Sequence, residues 1–338
     1  MGSYQATLSI GGWLPVKTVR ALVEARPVVT VCGTPFGVKM FSEGALIVGF
    51  SDLNTPDGTA NPAKKAGLRL GDRVVRMNDT LTETNDAVHD ALETAAGAPV
   101  QVVYIRNGEQ FQTRLTPVWD STAGQWRAGM WVRDSSAGVG TMTFVDRQLG
   151  VFAGLGHPIS DSDTGDIVPI CRGSVSDCTI YSVKKGVAGD PGELVGSIGK
   201  TARGSVLEND ELGLYGALDS AAEGFGAPCA TRFLVKEGAA ELYCDIGGGV
   251  ERFSCEIEEV SKSRARGNKS MVIRVTDERL LERCGGIVQG MSGAPIMQGG
   301  RLVGAVTHVF VGDPTRGYAI FAENMLTKTD NLASFDTP

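Results

Sequence analysis

The chain has 338 residues, enough for two or three domains, and its 42% hydrophobic and 21% charged residues are ordinary globular usage. The net charge of -7, with no basic cluster, argues against a nucleic-acid partner, and no apolar run is long enough to span a membrane. The 7 cysteines include no C-x-x-C pair and no His/Cys cluster at zinc spacing, so neither a metal nor a cofactor is expected.

Residues 1–27 read as an N-terminal segment with some strand character. Met1-Gly2-Ser3 looks like a cloning remnant and no signal peptide is visible, so an N-terminal anchor is expected to have been cut away. Residues 28–117 read as a small separate domain. Phe36-Gly37-Val38-Lys39-Met40 and Ala45-Leu46-Ile47-Val48-Gly49-Phe50 have strand character. A short helix ends at Gly67, and Gly71-Asp72 makes a turn. Ala87, Val88, Ala91, Leu92 and Ala95 recur at helical spacing between Thr84 and Ala95. Val100–Ile105 and Phe111–Leu115 form a hairpin across Asn107-Gly108.

The run Ala66-Gly67-Leu68-x-x-Gly71-Asp72-x-Val74 resembles that of PDZ domains. The resemblance implies a groove beside the Thr84–Ala95 helix in which an extended peptide adds as a strand. Its carboxylate, or a backbone carbonyl, would meet the amides around Gly37, Val38, Lys39 and Met40. The family's G-L-G-F-like loop reads F-G-V-K-M here, a departure at the carboxylate end.

Residues 118–131 read as a linker. Residues 132–326 hold short strands alternating with glycine turns, the pattern of a pair of β-barrels. A short helical piece falls at Asp277 to Arg283, and residues 327–338 read as a frayed tail. Cys171 and Cys178 could pair across a hairpin; scattered buried thiols, with Cys229, Cys244 and Cys255 among them, are an equal reading.

Within the barrel pair, Gly290-Met291-Ser292-Gly293-Ala294-Pro295 sits between two strand-like runs. A serine between glycines in such a turn is how chymotrypsin-like proteases present a nucleophile. The flanking glycines permit the sharp turn, and the amides of Gly290 and Ser292 can converge on an oxyanion. The chain has 3 histidines. His89 falls in the helical stretch of the PDZ-like domain. His157 follows an apolar hairpin well upstream of the serine, the order expected for the base. Val306, Thr307 and His308 fall where such proteases bind the substrate backbone and line the specificity pocket. The orienting acid stays open on spacing alone among Asp161, Asp163, Asp166, Asp219 and Asp277. Asp161 and Asp163 could equally cap their own turn.

The segments A-G-V-G-T-M-T-F, G-L-G-H-P-I-S-D-S-D-T-G, G-G-I-V-Q-G-M-S-G-A-P-I and T-H-V-F-V-G-D-P-T-R-G-Y-A-I resemble the SpoIVB peptidases of endospore-forming bacteria. The resemblance implies a mainly β protein, a PDZ domain followed by a chymotrypsin-like double β-barrel. It implies His157 as base, Ser292 as nucleophile and Asp277 as the functional aspartate. It also implies a role in sporulation signalling. These proteins lie between the forespore and mother-cell membranes on an N-terminal anchor. They cleave themselves and a membrane-bound regulator of an intramembrane metalloprotease, which leads to activation of a late mother-cell sigma factor. A peptide ligand at the PDZ groove is expected as well. The alternatives are a quality-control protease of the periplasmic kind and a non-catalytic PDZ scaffold. Met291 stands where trypsin-like enzymes carry the aspartate that forms the activation salt bridge.

Overall fold

The computed structural model describes residues 2–23, 27–160, 165, 167–168 and 172–335. Strands β1 (Gly2–Ile10) and β2 (Leu14–Val23) pair only with each other among the described residues. Next come β3 (Val28–Val31) and the long β4 (Pro35–Phe50). A compact unit then follows: β5 (Leu53–Thr55), β6 (Gly58–Ala60), α1 (Pro62–Lys65), β7 (Arg73–Met77), β8 (Thr80–Leu81), α2 (Asn85–Ala95), β9 (Val100–Arg106), β10 (Glu109–Leu115), β11 (Val118–Asp120) and β12 (Gln125–Arg127).

Local chemistry explains this unit. The Asn61 side chain caps α1 by accepting from Lys64 N, and Pro62 fits the first turn, where no amide bond is needed. Gly67, at φ 80°, lets the chain leave the helix. Asp72 is 1% exposed and tolerates burial because Arg106 grips both its oxygens at 2.7 Å. Thr84 caps α2 by accepting from Ala87 N. Val88 and Leu92 of α2 pack on Ile47, Leu68, Val74 and Val102. The A-G-L-x-x-G-D motif therefore forms one side of a PDZ fold.

The chain re-enters β13 (Met130–Asp146), which runs antiparallel to β4 from Met130↔Phe50 to Thr141↔Pro35. The first half of β4 also pairs with β15 (Arg172–Lys184), from Asp177↔Phe36 to Arg172↔Phe41. The ring continues through β16 (Glu193–Asp210), β17 (Gly213–Leu218) and β14 (Val151–Gly154) back to β13. This six-membered ring is the first barrel. Phe36, Val38, Met40, Phe152, Val175 and Leu214 fill it. Strand β18 (Phe225–Pro228) pairs with β3.

The second barrel closes in the order β19 (Gly238–Asp245), β20 (Val250–Val260), β21 (Met271–Val275), β24 (Asp313–Phe321), β23 (Arg301–Phe310), β22 (Pro295–Gln298). Helix α3 (Glu278–Cys284) precedes the serine turn, and α4 (Ala322–Phe335) follows β24.

The mainly β architecture of PDZ domain and double barrel holds, while three sequence-based boundaries change. The PDZ-like unit is inserted between β4 and β13, so residues 28–41 belong with the first barrel. Gly37, Val38, Lys39 and Met40 are barrel residues, not a peptide groove. Both edges of that stretch are taken, by Gly138 and Val139 on one side and by Ser174, Val175 and Ser176 on the other. Val38 and Met40 are 1% and 0% exposed, and the Ile198 side chain fills the space a Gly37 Cβ would need.

Residues 118–131 are not a free linker. The β11–β12 hairpin lies on α2, with Trp126 N donating to Glu93 Oε1 at 2.8 Å and the Trp119 and Trp126 rings edge to face at 5.7 Å. The first part of the tail is helix α4, held by Lys328 Nζ donating to Glu208 and to Asp210. Cys171, Asp161, Asp163 and Asp166 lie outside the described residues; Cys178 is free. Among the described residues no helix is long and apolar enough to cross a membrane.

Candidate active site

Helix α3 ends at Gly285 in the left-handed region, and the buried Ile287 and Val288 lead into the serine turn. Gly290 and Gly293 sit at φ 96° and 94°. A Cβ on Gly293 would collide with the carbonyl oxygen of Thr141, so glycine is required there. Met291 N donates to Val288 O at 3.1 Å, Gly293 N to Val306 O at 2.8 Å and Ala294 N to Met291 O at 2.9 Å. Gly290 N and Ser292 N have no acceptor among the described residues. Those two amides, alternating with bonded ones, are the donors an oxyanion requires. The fully buried Met291 anchors the turn from below, its Sδ accepting from Val288 N at 3.4 Å. That thioether occupies the turn where trypsin-like enzymes place a carboxylate.

Two segments of the first barrel hold this turn. Leu194 N donates to Gln289 O at 2.8 Å, Gln289 N donates to Gly192 O at 3.1 Å, and the Leu194 side chain packs against Gly290. From β13, Thr141 N donates to Ser292 O and Thr141 Oγ1 to Gly290 O, both at 2.8 Å, and Thr143 Oγ1 donates to Gly293 O at 2.7 Å.

The half-buried Ser292 donates its Oγ hydrogen to Thr307 O at 2.9 Å. Strand β23 has a register shift between Val306 and His308, and this bulge turns the Thr307 carbonyl toward the serine. Val306 and Thr307 are 0% and 1% exposed, so their side chains do not form an open wall. Of the three residues expected to bind substrate, His308 alone is half-buried.

His157 reaches the same place from β14. Leu155 and Gly156 both take positive φ, 63° and 68°, which turns the chain so that Gly156 packs on Thr307 and Ile320. A leucine at that φ is strained, and such strain collects at active sites. The His157 ring lies 4.9 Å from the His308 ring, centroid to centroid. His157 Nδ1 contacts Pro158 O at 2.7 Å. A carbonyl only accepts, so Nδ1 carries the proton and Nε2 keeps the lone pair. Burial holds the His157 imidazole below its ordinary pKa, against the pull of the Pro158 carbonyl. Burial, then His157 and Lys269, pull His308 down to about 4. His308 Nδ1 is buried without a hydrogen-bond partner.

Asp277 is not brought to His157. Its Oδ1 accepts from Arg279 N and Nε, and its Oδ2 accepts from Ser254 N and Arg279 Nη2, all at 3.1 Å. It is the N-cap of α3, and Arg279 is the first cause of its lowered pKa. In this arrangement both Asp277 oxygens are held by the helix start, and none of its hydrogen bonds or ion pairs among the described residues goes to His157. Asp219 is exposed, and no hydrogen bond or ion pair joins a carboxylate to His157 among the described residues.

Sequence reasoning missed Asn209. At the end of β16 it accepts from Ile159 N at 2.8 Å and donates to Ile159 O at 2.9 Å and Val168 O at 3.0 Å, clamping the loop that carries His157. No local signal separates it from other strand-end asparagines.

The chain matches the model of the SpoIVB peptidase S55 family over residues 124–326. It belongs to that family. That family is one of peptidases. Over 57 residues it is 40% identical to a protein of Thermotoga maritima described as a zinc metalloprotease, spanning 17% of this chain and 11% of that one. Over 132 residues it is 29% identical to a protein of Vibrio cholerae described likewise, 38% of this chain and 26% of the other. The chain thus spans a small part of these relatives.

Among solved structures it is similar to the HtrA-type protease AlgW with decapeptide, with TM-score 0.36 and 12% identity over 61% of this chain and 54% of that one. It is similar to the active form of the Rv3671c protease of M. tuberculosis, with TM-score 0.33 and 15% identity over 58% and 74%. It is also similar to a PDZ domain from Listeria monocytogenes, with TM-score 0.21 and 15% identity over 27% and 87%.

Proposed function

We propose that this SpoIVB-family endopeptidase uses Ser292 as nucleophile and His157 as its general base, in sporulation signalling. The reading is carried by one observation: the two amides left unbonded in the serine turn, Gly290 N and Ser292 N, flank the candidate nucleophile. As Ser292 Oγ attacks the scissile carbonyl, His157 Nε2 takes its proton. The carbonyl oxygen becomes negative and accepts from the two amides. The imidazolium, held by the Pro158 carbonyl, then returns the proton to the leaving amine. Water, activated by the same base, releases the acyl group. In the resting arrangement Oγ donates to Thr307 O, so a rotation about the Ser292 side-chain bond must precede attack. His308, beside His157, is the residue placed to meet the bound substrate.

The substrates of this reading are the protein itself and a membrane-bound regulator of an intramembrane metalloprotease. Cleavage between the forespore and mother-cell membranes leads to activation of a late mother-cell sigma factor. Its support is the family match together with the site. The peptide groove of the PDZ-like unit is assigned to the edge of β13 at Met130–Asp134. That stretch pairs with β4, and α2 stands beside it, with Asn85 N donating to Asp134 Oδ2 at 2.9 Å. The test is self-processing by purified protein: wild type should cleave itself and Ser292→Ala should not. Processing retained by Ser292→Ala would remove the nucleophile assignment.

A further inference from the structure

The loop between β20 and β21, residues 261–270, carries Lys262, Arg264, Arg266 and Lys269 and no acidic residue, in a chain of net charge -7. In sequence these cations alternate with small residues and form no continuous cluster; the fold gives them a place. Ser292 Oγ donates to Thr307 O, and Thr307 Oγ1 in turn donates to Asn268 O at 2.9 Å. The loop therefore lies directly behind the residue that holds the nucleophile. Its course is fixed by its own bonds. Ser261 N donates to Ser270 O and Lys269 N to Arg266 O, both at 2.8 Å. Ser270 Oγ donates to Gly267 O at 2.6 Å, and Asn268 Nδ2 donates to Glu211 O at 2.9 Å.

Lys269 reaches the substrate wall through Tyr318. Strand β24 pairs Tyr318 with His308 of β23 on one side and with Val272 of β21 on the other. Directly opposed residues share a face, so Tyr318 stands beside His308. Lys269 Nζ lies over the Tyr318 ring, 5.3 Å from its centroid. From the base outward the wall runs His157, His308, Tyr318, Lys269. Burial, then His157 and Lys269, hold His308 at about 4, so its imidazole is neutral near pH 7 and the fixed positive charge is that of Lys269. The arginines nearby are taken, since Arg274 and Arg316 both pair with Glu258. Lys262, Arg266 and Lys269 are exposed and make no ion pair among the described residues. An unpaired ammonium beside a bound peptide attracts a carboxylate and repels a cation. We propose that Lys269 is a specificity-determining residue, selecting peptides with an aspartate or glutamate before the scissile bond, where the substrate side chain passes His308 and Tyr318. Lys262 and Arg266 add a field that draws acidic segments toward the cleft. The inference names the substrate class of the proposed site, and so rests on the reading of Ser292 and His157 given above.

Digestion of a diverse peptide library by the full chain, with the cut sites read by mass spectrometry, tests it. Wild type should show aspartate and glutamate enriched at one position before the cut. Two peptides that differ only there, glutamate against glutamine, should differ in kcat/KM by about fivefold, the size expected of one solvated ion pair. That ratio should shrink with added salt, because the lysine is exposed. Lys269→Gln should bring the ratio close to one, and Lys269→Arg should keep it. Lys269→Glu should instead favour a lysine peptide over the glutamine one. Each ratio compares two peptides on one preparation, so partial misfolding of a variant does not produce the change. Equal use of glutamate and glutamine by wild type at every position, or a preference that survives Lys269→Gln, would overturn the inference and leave Ser292 and His157 standing. A library cut equally by Ser292→Ala, or left uncut by wild type, would overturn the reading of the site and the inference with it, so the two failures are distinguishable.

Discussion

Ser292 rests with its hydroxyl on the Thr307 carbonyl, and His157 rests with Nδ1 on the Pro158 carbonyl, so neither group holds the other. The chemistry still depends on a neutral imidazole. Burial lowers the His157 pKa, so the acid limb of kcat/KM should fall below the ordinary 6.5 of histidine. A pH–rate profile with its limb at or above that value would speak against a buried base. His308 bears on stability instead. Its folded pKa, about 4, is below its unfolded value of 6.5, so the unfolded chain binds the extra proton between the two. Stability from this group is full above pH 6.5 and is lost as pH falls toward 4; His308→Gln should flatten the thermal midpoint across that window. Asp277→Asn keeps a good helix cap, so it should leave kcat within about tenfold of wild type, whereas loss of a true triad acid costs about ten-thousandfold. A loss of the larger size would return Asp277 to His157.

At the scale of elements, sequence and structure part where pairing is long-range. The Asn61 cap, the Gly67 stop, α2 and the Asn107-Gly108 hairpin were legible because each is specified within a few residues. The serine turn and the loop before His157 were legible for the same reason. The Gly37–Met40 stretch was not. Phe36, Val38 and Met40 alternate as a PDZ strand would, and only pairing with Gly138 and Val175, far along the chain, makes them barrel residues. Spacing alone left the orienting acid open, and Asp277 was singled out only by the family resemblance; the structure shows it as the N-cap of α3. Val38→Asp should therefore disrupt the first barrel instead of tuning substrate choice, since it buries an unpaired carboxylate at a site 1% exposed. Circular dichroism melts would read this as a loss of many degrees or of soluble protein; a well-folded Val38→Asp protein would contradict the barrel assignment.

For the molecule as a whole, the inserted PDZ-like unit and the first barrel share two strands, β4 and β13. The two barrels meet at the serine turn, with Thr141 and Leu194 from the first barrel gripping a turn of the second. A fragment of residues 118–338 contains the whole family-matched region but lacks β4, the strand that closes the first barrel. It should be insoluble or molten, while the full chain folds cooperatively. A soluble, active fragment would show that β4 is dispensable.

The central claim is that Ser292 attacks with His157 as its base beside the unbonded amides of Gly290 and Ser292. It is tested most directly by reacting the purified full chain with a fluorophosphonate and mapping the adduct by mass spectrometry. A single adduct on Ser292 is expected in wild type, none in Ser292→Ala, and labelling slowed by about a hundredfold or more in His157→Ala. An adduct on another residue, or equal labelling of wild type and His157→Ala, would contradict the account.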